Sequence, residues 1–229
     1  METWMTQRPS LKKLSFETPT GIRSALPWRE WLTAVAVSAM VFSVANAHDD
    51  DDFRVKSATF KQGAALPISM ADNFLVNGLN VCTVDGSTGG NLSPELTWEN
   101  APRGTRSFAI VLFDETASFT HWGIFNISAS TTALPAGAGA ADSVFGPQVH
   151  NDFGSLGYEG PCPPAGVVPF AHHYVFTVYA LDVKLRLPVL VNFPQNAETL
   201  IQAIAQAGAE AHVLGRASIG GFFSTTPSQ

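Results

Sequence analysis

His173-Tyr-Val-Phe-Thr-Val-Tyr-Ala-Leu181 is built almost wholly from the aromatic and β-branched residues that suit a pleated, half-buried surface, so it reads as a strand. Working outward, Ser107-Phe-Ala-Ile-Val-Leu-Phe-Asp114 is a continuous apolar run between Arg103-Gly104 and Glu115-Thr116, the pattern of a central strand covered on both faces. Gly123-Ile-Phe-Asn-Ile127 is a third strand. Ser93-Pro-Glu-Leu-Thr-Trp98 sets Leu96 and Trp98 on one side, and Pro94 confines that strand to its start or to a sheet edge. Leu66–Gly90, with Asn77-Gly78, Asp85-Gly86 and Gly89-Gly90, reads as hairpins and turns, and Gly and Pro punctuate residues 134–169 as long connections. A single helix is predicted, capped by Asn196, running Ala197–Ala207 and stopped by Gly208, with Leu200, Ile201, Ile204 and Ala207 on its packed face. The chain is therefore dominated by β-structure with a peripheral helix.

The first 47 residues read as separate from this fold. Five basic residues against three acidic ones precede an apolar run, Trp31–Val44, and then Ala45-Asn46-Ala47. That order describes a signal peptide, and the run is short of the ~20 residues a membrane span requires. An uncleaved N-terminal anchor is the alternative reading. Cleavage after Ala47 leaves eight Lys and Arg against sixteen Asp and Glu, a formal charge of −8 compared with −6 for the whole chain. So few cations argue against nucleic-acid partners and against tight adhesion to anionic lipid, and no stable membrane anchor is expected in the processed chain. Residues 48–56, opening His48-Asp-Asp-Asp-Asp52, are expected to be an acidic disordered leader, and 57–229 a single domain in a periplasmic or secreted protein. Cys82 and Cys162 both lie in the exported part, where an oxidising compartment favours one disulfide between them.

Candidate chemistry sits at strand ends. Asp114 closes one strand, His121 precedes the next, and His172, His173 and Tyr174 open the third. Strand alternation puts His172 and Tyr174 on one face and His173 on the other. A carboxylate among imidazoles is expected to raise their pKa and favour a cationic, anion-binding site lined also by backbone N–H groups of the Gly-containing loop 157–166. A two-His, one-carboxylate metal site is an alternative without H-x-H or H-E-x-x-H spacing to support it, so no metal and no cofactor is assigned. No G-x-S-x-G elbow is present.

Ser93-Pro-Glu-Leu-Thr-Trp98 with Pro102-Arg-Gly-Thr-Arg-Ser107, Leu112-Phe-Asp114, His121-Trp122 with Asn126-Ile127, Gly157-Tyr-Glu-Gly-Pro-Cys-Pro-Pro164 with Gly166, and His172-His-Tyr174 follow one another in order. Together they resemble the bacterial, Raf kinase inhibitor-like branch of the phosphatidylethanolamine-binding family. The resemblance implies an antiparallel β-sandwich, a large central sheet packed on a smaller one with one or a few helices beside it. It also implies a shallow pocket for phosphate or a phosphorylated headgroup, with Asp114, His121, Gly160, Cys162, Pro163, Pro164, His172 and Tyr174 at the pocket positions. Two departures stand out: Cys162 replaces a common Gly, and Asp114-Glu-Thr-Ala-Ser118 replaces the common DPDAP rim. The expected function is a non-enzymatic binding or regulatory protein for a small anion, with an unidentified protein partner. A hydrolase or metal-dependent enzyme using the same pocket, and a passive carrier of small anions or lipid headgroups, are the alternatives.

Overall fold

The apolar run that reads as a central strand occupies that place. A computed structural model of the chain describes residues 52–189 and 193–227. In chain order the strands are β1 (Arg54–Lys56), β2 (Leu75–Val76), β3 (Leu79–Asn80), β4 (Leu96–Glu99), β5 (Ser107–Asp114), β6 (Phe119–Ser128), β7 (Ala133–Leu134), β8 (Ala171–Leu181) and β9 (Val213–Ser224). A 3-10 turn covers Ile68–Met70, and the helix α1 spans Ala197–Ala209.

The larger sheet has the order β6-β5-β8-β9, antiparallel throughout, and the smaller one β1-β4-β7. Because β5 is interior to its sheet and covered on both sides, all but one of its residues are buried, which is why its sequence shows no alternation. Phe108, Ile110 and Leu112 join Val55, Leu96, Trp98 and Leu134 of the smaller sheet in one core, where Phe108 meets the Trp98 ring edge-on at 5.2 Å. Ala109 and Val111, on the opposite face, pack with Leu200, Ala203 and Ile204 of α1. The chain is thus a two-sheet sandwich with a helix on the outer face of its larger sheet.

Four sequence expectations shift. The expected signal peptide and residues 48–51 of the expected leader lie outside the described residues, but Arg54–Lys56 form a strand paired with β4 (Arg54↔Glu99, Lys56↔Thr97). The ordered chain therefore starts before residue 57, held partly by Glu99, which accepts from Arg54 Nε at 2.6 Å and from Lys56 Nζ at 2.5 Å. Helix α1 has the expected Asn196 cap, its side chain accepting from Thr199 N while the Thr199 hydroxyl receives the Asn196 N–H. It runs through Gly208, however, to Ala209 with Glu210 as its C-cap, and Ala211 turns the chain with φ 61. Ile201 faces outward, and Ala203 takes its place on the packed face. The longest strand, β9, falls where no strand was expected.

Candidate functional site

Antiparallel pairing decides what meets at the end of the larger sheet. Asp114 sits opposite Tyr174 on β8 and Phe119 on β6, so the strand-end residues of three neighbouring strands converge. His121 lies within β6, which begins at Phe119, four residues before the strand expected from Gly123. His172 and Tyr174 share the buried face of β8, and His173 points to the other side, where it bonds Glu115 at 2.9 Å. Asp114, His121, His172 and Tyr174 are all buried.

Asp114 organises the group. Its Oδ1 accepts from the backbone N–H of Thr116 (2.8 Å) and Ala117 (3.0 Å), and its Oδ2 from His172 Nδ1 (2.7 Å). The Tyr174 hydroxyl also donates to Asp114 and accepts from the Cys162 N–H. A carboxylate with four donors has no lone pair left over for a ligand, so Asp114 positions its neighbours. His121 Nδ1 donates to the Glu159 carbonyl at 2.9 Å, and its ring stands edge-on to Phe119, Phe153 and Tyr174 at 5.1–5.3 Å. Both imidazoles therefore carry their proton on Nδ1 when neutral, facing an oxygen, and the Gly160 carbonyl is a second backbone partner of the His121 ring.

The electrostatics depart from the expected cationic pair. Burial holds the His121 pKa below the usual imidazole value, outweighing the Glu159 carbonyl, Asp114, the Gly160 carbonyl and Asp72, all of which act to raise it. His121 is thus a neutral acceptor at pH 7. Burial, reinforced by Asp114, also pushes the Tyr174 hydroxyl well above the ordinary tyrosine range, so it stays protonated. Glu159, beside His121, has its carboxyl raised by burial and by Asp72.

The loop 157–166 serves mostly as framework. The Gly160 N–H is taken by Asn91 Oδ1 (2.8 Å), and a Cβ at Gly160 would stand 1.9 Å from the Met70 carbonyl. The amide N–H groups of Gly160 and Cys162, expected to face an anion, are thus committed to Asn91 and Tyr174. Pro163 is buried with its carbonyl accepting from Thr225 Oγ1, whereas Pro164 is exposed on the rim. Cys162 forms the disulfide with Cys82 across 80 residues, tying this loop to the turn-rich segment that follows β3. Sequence reading missed Asn91, Phe153 and the Glu159 carbonyl, which act from loops without a local pattern.

A family model described as phosphatidylethanolamine-binding protein matches residues 56–224, nearly the whole described chain. The chain belongs to the phosphatidylethanolamine-binding protein family. Among relatives of this family, the UPF0098 protein YbcL of Escherichia coli strain K12 is 38% identical over 166 residues, 66% of this chain and 84% of that protein. A UPF0098 protein of Methanothermobacter thermautotrophicus is 39% identical over 149 residues, 62% of this chain and 86% of its own. The crystal structure of Escherichia coli YbcL superposes with a TM-score of 0.57 at 34% identity, covering 75% of this chain and 98% of that one. These matches agree with the bacterial branch of the phosphatidylethanolamine-binding family and with its antiparallel sandwich.

Proposed function

We propose that this chain is an exported, non-enzymatic binding protein whose Asp114–His121–His172–Tyr174 pocket takes a small phosphate-type anion, free or as a lipid headgroup. The observation that carries the reading is the pair of buried imidazoles anchored through Nδ1, which leaves Nε2 as the ring atom to meet a ligand. Each Nε2 accepts from a ligand that brings a proton, such as monobasic phosphate or the ammonium of phosphoethanolamine, and each becomes a charge-assisted donor once protonated. Binding of an anion without protons of its own therefore takes protons up from solution. A non-enzymatic role is supported by Asp114, whose four donors leave no free carboxylate for base catalysis, and by the pairing of both cysteines in a disulfide. Export is supported by that disulfide and by a Mycobacterium tuberculosis relative, LppC, by its designation a lipoprotein and 34% identical over 161 residues. A regulated protein partner completes this proposal through the family's kinase-inhibitor-like branch.

Calorimetry with sulfate, which does not titrate between pH 5 and 8, isolates the protein's own protons. Burial lowers the His121 pKa, so charging its ring is favoured by falling pH and by a bound anion. Affinity is expected to fall as pH rises, about tenfold per unit for each proton taken up. His172→Ala is expected to weaken binding at least tenfold, about 1.5–3 kcal/mol for a charge-assisted hydrogen bond, and His173→Ala to leave it unchanged. Equal effects at the two histidines contradict the proposal. Affinity that rises with pH and requires added Zn²⁺ assigns the Nε2 atoms to a metal instead.

A further inference from the structure

The face of the larger sheet opposite Asp114, His172 and Tyr174 carries a cavity. Helix α1 covers β5 and leaves part of β8 and β9 bare, and the gap is a groove of about 750 Å³, within the range of small-molecule sites. Its floor consists of Val175, Thr177, Ser218 and Gly220, paired across β8 and β9 as Thr177↔Ser218 and Val175↔Gly220. Thr177 and Ser218 share a 2.9 Å hydroxyl bond, which leaves one hydroxyl proton at the centre of the floor. Ile201, the helix residue that turns away from the core, forms one wall. Gly220 keeps the floor low: a Cβ there would stand 2.8 Å from His173 Nε2.

The two ends differ in charge. At one, Glu115 is bonded to His173 at 2.9 Å. At the other, some 20 Å along β8, Arg216 stands directly across from Tyr179. Arg216 is exposed and has no hydrogen bond or ion pair among the described residues, and Tyr179 offers a half-buried hydroxyl beside it. A fork of donors next to an apolar trough matches a carboxylate or phosphate on a hydrocarbon or aromatic body. A peptide strand fits less well, because the groove is a sheet face and the β8 backbone is already bonded to β5 and β9, leaving it no main-chain partners for strand addition.

We propose that this groove is a second ligand site, for an amphipathic molecule whose single anionic headgroup pairs with Arg216 and whose apolar body lies along Val175 and Thr177 beside α1. It stands apart from the Asp114 pocket, and neither proposal depends on the other.

Dansyl-labelled undecanoic acid is the probe, titrated by fluorescence into the full processed chain, with its methyl ester as the uncharged control. Saturable one-to-one binding is expected, weakened about tenfold or more by Arg216→Ala and in the ester, and largely retained in Arg216→Lys. Ser218→Trp, an exposed position that fills the trough, is expected to abolish it, and His172→Ala to leave it untouched. Near-ultraviolet circular dichroism of each variant establishes that the fold is intact. Absence of saturable binding, equal affinity for the ester, or indifference to both groove variants overturns the proposal. Loss with His172→Ala also overturns it, placing the probe in the other pocket. Dimerisation of the free chain that Ser218→Trp breaks, without probe binding, assigns the groove to a second copy.

Discussion

Asp114→Ala is expected to lower the unfolding free energy by about 3–5 kcal/mol, because it removes the shared acceptor of several buried donors at about 1–3 kcal/mol each. The side chain is 2% exposed, and the substitution strands the Thr116 and Ala117 amides, the Nδ1–H of His172 and the Tyr174 hydroxyl at once. Each orphaned donor in a dry site costs about 1–3 kcal/mol, moderated where water enters the space the carboxylate leaves. Glu115→Ala is the matched comparison. Its carboxylate pairs with His173 through side chains 56% and 29% exposed, and solvent screening keeps such a pair within about 1 kcal/mol. Denaturant titration of the two variants separates them, and a similar small loss for both contradicts the organising role of Asp114. Because the Asp114 contact orients His172, the same variant is expected to lose sulfate binding even where it remains folded.

Removing the Cys82–Cys162 bridge is expected to cost about 4–5 kcal/mol through the freed unfolded chain, since it closes a loop of 80 residues. Both half-cystines sit at functional framework: Cys162 gives its N–H to Tyr174, and Cys82 follows the β2–β3 hairpin and is fully buried. The double Cys→Ser variant is measured against the oxidised protein by guanidinium unfolding, with thiol labelling under denaturing, non-reducing conditions as the companion assay. No labelled thiol is expected in the untreated protein. Two labelled thiols, or a stability change below about 1 kcal/mol, contradict the account.

How legible the fold was depended on what each strand packs against. Strands β5 and β8 were plain because burial on two faces, or alternation on one, leaves a direct mark on residue choice. Strand β9 was not, since Gly215, Gly220, Gly221, Arg216 and Ser218 dilute its apolar pattern. Those glycines answer to neighbours far away in the chain. A Cβ at Gly221 would meet Leu66 Cδ2 at 2.6 Å and the Ala64 carbonyl at 2.7 Å, where the segment before the 3-10 turn lies against the strand. The features that let β9 pack are those that hid it.

The candidate site divides in the same way. Asp114, His121, His172 and Tyr174 were legible because strand ends and alternation are local properties. The partners of the Gly160 and Cys162 N–H groups were not legible, since they are decided by Asn91, 69 residues away in sequence, and by a tyrosine on another strand. The direction of the His121 shift was misjudged. Charge can be counted in a sequence, whereas burial among Phe119, Phe153 and Tyr174 cannot, and burial is the larger effect.

Nitrogen NMR of the imidazoles during a phosphate titration tests the pocket most directly, because it reads the proton on each ring atom. Without phosphate at pH 7, His121 is expected to show a protonated Nδ1 and a bare Nε2. On saturation, the Nε2 signals of His121 and His172 are both expected to move toward the hydrogen-bonded or protonated form, while His173 holds still. Unchanged Nε2 signals at His121 and His172, or a response confined to His173, contradict the assignment of this pocket as an anion site.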